Sequence, residues 1–176
     1  MPFGFLLTKI ILKKDIREIG SGNIGATNVL RTGNKIIGYS TLILDILKAV
    51  IPILFIKIQF PEFIFISSLA VFLGHVFPIW LKFNGGKGVA TYVGILFCIN
   101  YVLGFFFIVT WLIVFFISKY SSLSSLLASL IIPIYYFFID TENYYFFIIM
   151  FILIFYTHRE NIKRLKNNTE SKTKIY

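Results

Sequence analysis

The stretch 89-VATYVGILFCINYVLGFFFIVTWLIVFFI-117 decides how many times this chain crosses a membrane. It is apolar over 29 residues, whereas one helical span of a bilayer takes about 20. Asn100 and Gly104 interrupt the stretch near its middle, and residues of these types favour a tight turn. We therefore predict two short helices here instead of one long helix.

The rest of the chain has the same apolar character. The sequence is 57% hydrophobic and only 14% charged, outside the range of soluble domains. An initial apolar stretch of about 12 residues reaches roughly 18 Å as a helix, which is too short to cross a bilayer alone. Further apolar blocks occupy residues 36–58, 63–81, 123–139 and 144–156.

These blocks predict an all-α integral membrane protein with about seven transmembrane helices, of which the first is truncated at the N-terminus. We predict a single transmembrane domain over residues 1–166 and a polar cytoplasmic tail over residues 167–176.

The basic residues favour splitting the 89–117 block. Lys and Arg collect in cytoplasmic loops of membrane proteins. With the split, all basic residues except Lys9, Lys48 and Lys57 lie on one side, which is 14 of 17. Without it, the first loop and the tail would lie on opposite sides. The net charge of +9 then reflects loops facing anionic lipid and needs no nucleic acid to explain it.

A first polar segment, 20-GSGNIGATNVLRTGNK-35, opens with the spacing G-x-G-x-x-G. A membrane-length helix follows it, so the strand, loop and helix of a dinucleotide fold are not available. Its glycines can still turn backbone N–H groups toward an anion. Ser21, Asn23, Thr27 and Asn28 add neutral donors. Arg31 adds a planar fork that suits phosphate, although an ordinary polar loop would have the same composition.

A second polar segment is 74-GHVFPIWLKFNGGKGVAT-91. It is not a Walker loop, because Gly88 stands where Ser or Thr must follow Lys87. Gly85, Gly86 and Gly88 flank this lysine just before a helix, where free N–H groups and the helix dipole favour phosphate. His75, near the inner end of the preceding helix, is either a packed structural residue or a ligand and proton-transfer group.

A third polar segment, 157-THRENIKRL-165, ends the last span. His158, Asn161 and Arg164 are three residues apart and can share one helical face, although a snorkelling basic helix end would look similar. Within the block 36–58, Asp45 and Lys48 are one turn apart. An intramembrane charge is costly without a partner, so we expect these two to face each other. The predicted topology places all three segments on the cytoplasmic side, as an anion-binding pocket.

The strings GSGNIGATNVLR, GHVFPIWLKFNGGKGVAT and HRENIKRL, with LDILK between the first two, resemble the bacterial membrane glycerol-3-phosphate acyltransferases that use acyl-phosphate, the PlsY type. The resemblance covers nearly the whole chain. It implies a seven-helix inner-membrane enzyme that transfers a fatty acyl group from acyl-phosphate to glycerol 3-phosphate. The products would be lysophosphatidic acid and phosphate, in the first acylation step of phospholipid biosynthesis. No cofactor and no metal are implied.

The resemblance also implies the site residues, to which the chemistry of the first segment adds Asn23 and Thr27. We expect catalytic roles for Ser21, Lys87, His158 and His75, and substrate-binding roles for Arg31, Asn161, Asn23, Thr27, Gly85, Gly86 and Gly88. The group that accepts the hydroxyl proton stays open between a substrate phosphate oxygen, His75 and His158. Expected partners are both substrates, membrane lipid and, transiently, the soluble enzyme that forms acyl-phosphate, but no nucleic acid.

Two other classes of protein would use similar residues. An organophosphate transporter also needs anion-binding loops, but transporters often show paired repeats with sites at the bilayer midplane, whereas these polar segments gather at one surface. A non-catalytic membrane subunit would bind through a basic face and would not need Ser21, Arg31, Lys87 and His158 to converge.

Overall fold

A computed structural model describes residues 1–140 and 142–173 of the chain. Over these residues the structure is helical and contains no strand, which confirms the predicted all-α fold class. The chain forms two compact units, Met1–Cys98 and a second that begins at Ile99. The end of the predicted tail, including Lys174, lies outside the described residues, and the division into a domain 1–166 and a tail 167–176 stays a prediction.

The first unit begins with a short helix that is followed by a long loop. Asn34 ends this loop and caps the third helix, because its side chain accepts a hydrogen bond from the backbone N–H of Ile37 at 3.0 Å. Short 3₁₀ helices occupy Ile16–Glu18, Pro61–Phe63 and Ile79–Leu81. The α-helices are α1 Phe3–Ile11, α2 Ala26–Leu30, α3 Lys35–Gln59, α4 Ile64–Val76 and α5 Val89–Ile99, whose last residue meets the unit boundary.

The predicted split of the 89–117 block is confirmed, because α5 ends at Ile99 and the next helix starts at Tyr101. Asn100 alone makes the break. Its backbone is extended and its side chain accepts a hydrogen bond from Val102 N–H at 2.9 Å, so it caps the new helix. The expected part of Gly104 in this turn is wrong, since Gly104 is buried inside the helix that Asn100 has already started.

The second unit contains three long apolar helices and a short polar one. The second of its long helices, Ser121–Phe137, has four buried serines, and such small residues let helices pack closely. They are Ser122, Ser124, Ser125 and Ser129. Trp111 donates to the Ser125 hydroxyl at 3.1 Å across the same contact. The helices are α6 Tyr101–Ser118, α7 Ser121–Phe137, α8 Tyr144–Thr157 and α9 Arg159–Lys166.

The outer surface of both units is strongly apolar. Large side chains such as Ile51, Phe55, Ile117 and Phe138 are more than half exposed, as expected for groups that face lipid. By length and composition, Pro61–Leu81 and Tyr101–Ser118 are able to cross a membrane among the described residues. Val89–Ile99, Ser121–Phe137 and Tyr144–Thr157 are shorter apolar helices, so the count of seven spans stays a prediction.

Candidate functional site

The loop between α1 and α3 is organised by the side chain of Asn28. Its amide nitrogen donates to the backbone carbonyls of Ile19 and Asn23 at 2.8 Å each and of Ile16 at 3.2 Å. Its oxygen accepts from Ser21 N–H at 2.9 Å. These contacts use both amide hydrogens, so the side chain has no donor left for a ligand. Asn28 is therefore a positioning residue, although the sequence suggested it as a donor to an anion.

Ser21 and Arg31 lie at the same end of this loop. Gly20 has φ +58, a left-handed conformation that glycine adopts easily, and a Cβ there would overlap the Asn28 side chain and approach Arg31 Cδ to 3.1 Å. The aliphatic part of the Arg31 side chain thus passes directly beside Gly20, the residue before Ser21. Both side chains are half-buried, which keeps their polar ends accessible to a ligand.

The other two predicted residues of the loop have different surroundings. Asn23 accepts a hydrogen bond from Gly25 N–H at 2.9 Å through its side-chain oxygen, which is a local turn interaction. Thr27 lies half-buried in the first turn of α2. Asn23 is therefore already used in shaping the loop, at least through its oxygen.

An apolar cluster anchors the loop between α1 and α3. Ile16, Ile24, Val29 and Ile37 are buried together, and Leu81 packs against them from the 3₁₀ helix that precedes the glycine-rich segment. Burial of four such side chains contributes on the order of 1.5–3 kcal/mol each relative to exposure. The first and second polar segments are therefore tied to one apolar core within the first unit.

The glycine-rich segment is fastened to the end of α4. Gly85 N–H donates to Val76 O at 3.0 Å, and Gly86 N–H donates to His75 O at 3.3 Å. These carbonyls belong to the last turn of α4, where helix carbonyls lack helical partners. Gly88 has φ +83 and lies against the Phe72 ring just before α5. Lys87, which is half-buried, is thus held between a fixed glycine pair and the start of α5.

His75 is buried and belongs to a polar cluster within the apolar helices. Lys48 Nζ lies 2.5 Å from Asp45 Oδ1 and 2.5 Å from His75 Nδ1, and it donates to Met1 O at 3.0 Å. The expected pairing of Asp45 with Lys48 is confirmed. The contact of Lys48 with His75 was not expected from the sequence. On its other side the imidazole ring touches Gly86, where a Cβ would overlap Nε2.

In the second unit, His158 is buried at the junction between α8 and α9. Its Nδ1 lies 2.8 Å from Ile154 O and 3.4 Å from Thr157 Oγ1. Since a backbone carbonyl can only accept, Nδ1 carries a proton, and in the neutral ring Nε2 is then the acceptor atom.

Asn161 and Arg164 both bind a carboxylate that no pattern in the sequence indicates, that of Glu170. Glu170 Oε1 accepts from Asn161 Nδ2 at 2.7 Å and from Ser122 Oγ at 2.8 Å, while Glu170 Oε2 pairs with Arg164 Nε at 2.6 Å. Thr173 N–H also donates to Lys119 O at 2.9 Å. The described part of the predicted tail therefore folds back onto α7 and α9.

The charge of Glu170 is stabilised by these contacts. Burial alone would raise its pKa, but the hydrogen bonds from Arg164, Asn161 and Ser122 outweigh burial and hold the pKa below its usual range. A charged carboxylate only accepts hydrogen bonds, so it fixes the amide of Asn161 with Nδ2 toward Glu170. Asn161 Oδ1 then points the other way, buried and without a hydrogen-bond donor among the described residues.

The structure thus gives Asn28 and Lys48 new roles and adds Glu170. Asn28 had a signal in the sequence as a polar residue of the first segment and Lys48 as one half of an intramembrane charged pair, whereas Glu170 had none. Over residues 1–140 and 142–173, no group of three or more His, Cys, Asp or Glu side chains is arranged to hold a metal ion. The polar groups described above are donors and acceptors suited to phosphate and hydroxyl groups.

Comparisons with known proteins agree over the whole chain. A family model described as glycerol-3-phosphate acyltransferase matches residues 1–168. The glycerol-3-phosphate acyltransferase of Pelagibacter ubique (strain HTCC1062) is 70% identical over 176 residues, covering 100% of this chain and 92% of that protein. The protein of the same name from Rhodopseudomonas palustris (strain BisB5) is 47% identical over 175 residues, covering 98% and 89%.

Two solved structures are also similar, both of PlsY (YgiH), an integral membrane glycerol 3-phosphate acyltransferase. Its glycerol 3-phosphate form matches with a TM-score of 0.90 at 36% identity, over 97% of this chain and 88% of that one. Its lysophosphatidic acid form matches with a TM-score of 0.86 at 35% identity, over 98% and 88%.

Proposed function

Because this chain belongs to the glycerol-3-phosphate acyltransferase family of integral membrane proteins, we propose that it transfers a fatty acyl group from acyl-phosphate to glycerol 3-phosphate. The products are lysophosphatidic acid, which is 1-acyl-glycerol 3-phosphate, and inorganic phosphate. The bond between the acyl carbon and the phosphate oxygen breaks, and the glycerol hydroxyl forms the new ester while giving up its proton. This reaction is the first acylation of phospholipid biosynthesis.

The observation that carries the proposal is the glycine-rich segment fixed on α4 with Lys87 at its end. Phosphate is a good leaving group once its charge is held, and Lys87 together with the first-turn amides of α5 suits that task. Arg31 supplies a planar fork for the second phosphate, that of glycerol 3-phosphate. An acyl-phosphate is already activated, so the reaction needs no cofactor.

The residues of the second unit suit the hydroxyl of the acceptor substrate. Asn161 presents a carbonyl oxygen and His158 has its acceptor nitrogen at Nε2, as deduced from their partners Glu170 and Ile154. Phosphate oxygens need donors, whereas an alcohol needs an acceptor for its proton. We assign Asn161 and His158 to binding of the glycerol hydroxyl groups. We assign Ser21, which lies near Arg31, a catalytic role in the acyl transfer.

The activity is tested with purified protein in detergent. Phosphate release is measured with acyl-phosphate alone, with glycerol 3-phosphate alone and with both. We expect release to need both substrates and to equal the lysophosphatidic acid formed. Release from acyl-phosphate alone would indicate a hydrolase, and ester formation from another acyl donor but not from acyl-phosphate would refute the proposed donor. Addition of the soluble enzyme that forms acyl-phosphate tests whether the two proteins associate.

We further propose that the protein lies in the inner membrane with Lys35, Lys87 and Lys166 facing the cytoplasm, since basic loops favour that side. Single cysteines at Lys35, Lys166 and Glu62 in a Cys98→Ser background test this in intact cells. All three positions are exposed. A membrane-impermeant thiol reagent should label only the cysteine at Glu62. If the cysteines at Lys35 and Lys166 are found on opposite sides of the membrane, the proposed topology is refuted.

A further inference from the structure

The ammonium group of Lys48 fixes the proton of His75. This ammonium has three hydrogens and no acceptor, and its three contacts are Asp45 Oδ1, Met1 O and His75 Nδ1. The first two contacts are to oxygens that accept. The third hydrogen is therefore available to Nδ1, which must accept it with its ring lone pair. A neutral imidazole that accepts at Nδ1 carries its own proton at Nε2.

The cation also keeps the ring neutral. Protonation of Nδ1 would place an N–H against the hydrogens of Lys48, with two positive charges at a 2.5 Å contact. Asp45 balances the charge of Lys48 from the other side, and both side chains are nearly enclosed, with exposures of 4% and 14%. A buried ammonium would be costly without this carboxylate. Asp45 and Lys48 therefore act as one unit behind the imidazole.

The opposite edge of the ring faces the glycine-rich segment. A Cβ on Gly86 would overlap His75 Nε2 and Cε1, so the ring edge that carries Nε2 lies directly against Gly86, and a larger residue there would cover it. The same segment is fastened to the His75 carbonyl through Gly86 N–H. The Nε2–H group thus lies against Gly86, the residue before Lys87, in the segment where the proposed function puts a substrate phosphate.

We propose that His75 is a hydrogen-bond donor to phosphate through Nε2–H and not the base that removes the hydroxyl proton. Asp45 and Lys48 are the positioning residues that hold the imidazole in this tautomer. The role in phosphate binding rests on the proposed function, while the tautomer does not. His75 is therefore excluded as the acceptor of the hydroxyl proton, because its only nitrogen lone pair is engaged by Lys48. The two acceptors that stay open are His158 and a substrate phosphate oxygen.

The tautomer is read by ¹⁵N NMR of histidine-labelled full-length protein in detergent, since protonated and unprotonated ring nitrogens resonate in separate regions. The chain has two histidines, and a His158→Gln sample assigns the signals of His75. We expect a protonated Nε2 and an unprotonated Nδ1 near neutral pH. A protonated Nδ1 would overturn the proposal, whether or not the protein turns over substrate.

The role of the positioning residues is tested with the double variant Asp45→Asn and Lys48→Met. Removing both charges avoids leaving one of them buried and unpaired. We expect His75 to lose its single tautomer and to show a protonated Nδ1 population. If the spectrum of His75 is unchanged in the double variant, Lys48 does not fix the ring and that part of the proposal fails.

Kinetics distinguish a donor from a base. His75→Gln retains an N–H donor close to the former Nε2 but cannot take up a proton, whereas His75→Leu retains neither property. We expect His75→Leu to lose at least about tenfold in kcat/KM, as for one hydrogen bond to a charged group, and His75→Gln to recover most of that loss. Equal losses in both variants, with wild-type protein active, would overturn the donor role and leave the proposed function standing. If wild-type protein is inactive, the proposed function fails instead.

Discussion

In the first unit, His75 accepts a hydrogen bond at Nδ1 from an ammonium group, whereas in the second unit His158 donates from the same atom to a backbone carbonyl. The partner behind each ring therefore decides which kind of group the ring presents at Nε2. A cation behind His75 leaves a donor, and a carbonyl behind His158 leaves an acceptor. Two chemically identical side chains thus have opposite capacities.

The same contrast extends beyond the histidines. The first unit has Arg31, Lys87 and the first-turn amides of α5, all of them donors, whereas the Gly85 and Gly86 N–H groups are already bonded to carbonyls of α4. In the second unit the carboxylate of Glu170 accepts from Asn161 Nδ2 and Arg164 Nε and turns the Asn161 oxygen away. Anions bind donors and alcohols lose protons to acceptors, so the first unit suits phosphate and the second suits hydroxyl groups.

The largest effect is expected for Lys87→Ala. Loss of a phosphate-facing cation from a partly dehydrated segment costs about 2–4 kcal/mol of transition-state stabilisation, or roughly 30- to 1000-fold in kcat/KM. Lys82→Ala is the matched control, because Lys82 lies in the same segment and is exposed. Retention of more than about a tenth of wild-type kcat/KM in Lys87→Ala would place the phosphate donors elsewhere.

The same substitution at both histidines tests the comparison directly. His158→Gln removes the nitrogen that can take up a proton, so we expect kcat to fall about 100-fold, the lower range for a general base. His75→Gln is its internal control, since it keeps a donor and should lose only a few-fold. A loss of less than about tenfold in His158→Gln would instead assign the hydroxyl proton to a substrate phosphate oxygen.

Some of this arrangement follows from the sequence and some does not. The block 36–58 becomes α3, Lys35–Gln59, because the length of an apolar run and a capping Asn34 are local properties. The pairing of Asp45 with Lys48 is likewise set by one helical turn. The contact of Lys48 with His75 joins residues that are 27 positions apart in the sequence, and the contact of Glu170 with Ser122 joins residues that are 48 positions apart. Tertiary packing selects such partners, so no spacing rule predicts them.

An intermediate effect is expected for Arg31→Lys. A guanidinium can hold two phosphate oxygens at once, whereas an ammonium is a point charge that keeps only the electrostatic part of the contact. We expect the KM for glycerol 3-phosphate to rise about tenfold, the size of one lost charged hydrogen bond, with little change for acyl-phosphate. Steady-state kinetics with each substrate varied in turn measure both values. If the KM for acyl-phosphate rises instead, the two phosphate assignments must be exchanged.

The smallest effect is expected for Glu170→Gln, because in the proposed function Glu170 acts on the substrate only through Asn161. A neutral amide can both donate and accept, so it no longer fixes the Asn161 oxygen in one direction. Because the Arg164 pairing is partly exposed, its contribution is modest, and we expect a rise of roughly threefold in the KM for glycerol 3-phosphate with kcat nearly unchanged. Glu62→Gln, at an exposed position of the first unit, is the control.

The pH dependence of hydrogen exchange provides an independent measure of the contacts that Glu170 makes with Asn161, Arg164 and Ser122. The pKa of Glu170 is lowered in the folded protein, so its stabilisation is complete above the pKa of an unfolded glutamate and is lost as pH falls through the folded-state value. Protection of residues 167–173 from hydrogen exchange, relative to the intrinsic rate at each pH, should therefore fall in acid in the wild type, while Glu170→Gln should show little protection at neutral pH and respond little to acid. If both proteins respond to acid equally, another carboxylate controls the segment. The acceptor character of the second unit would then not depend on Glu170.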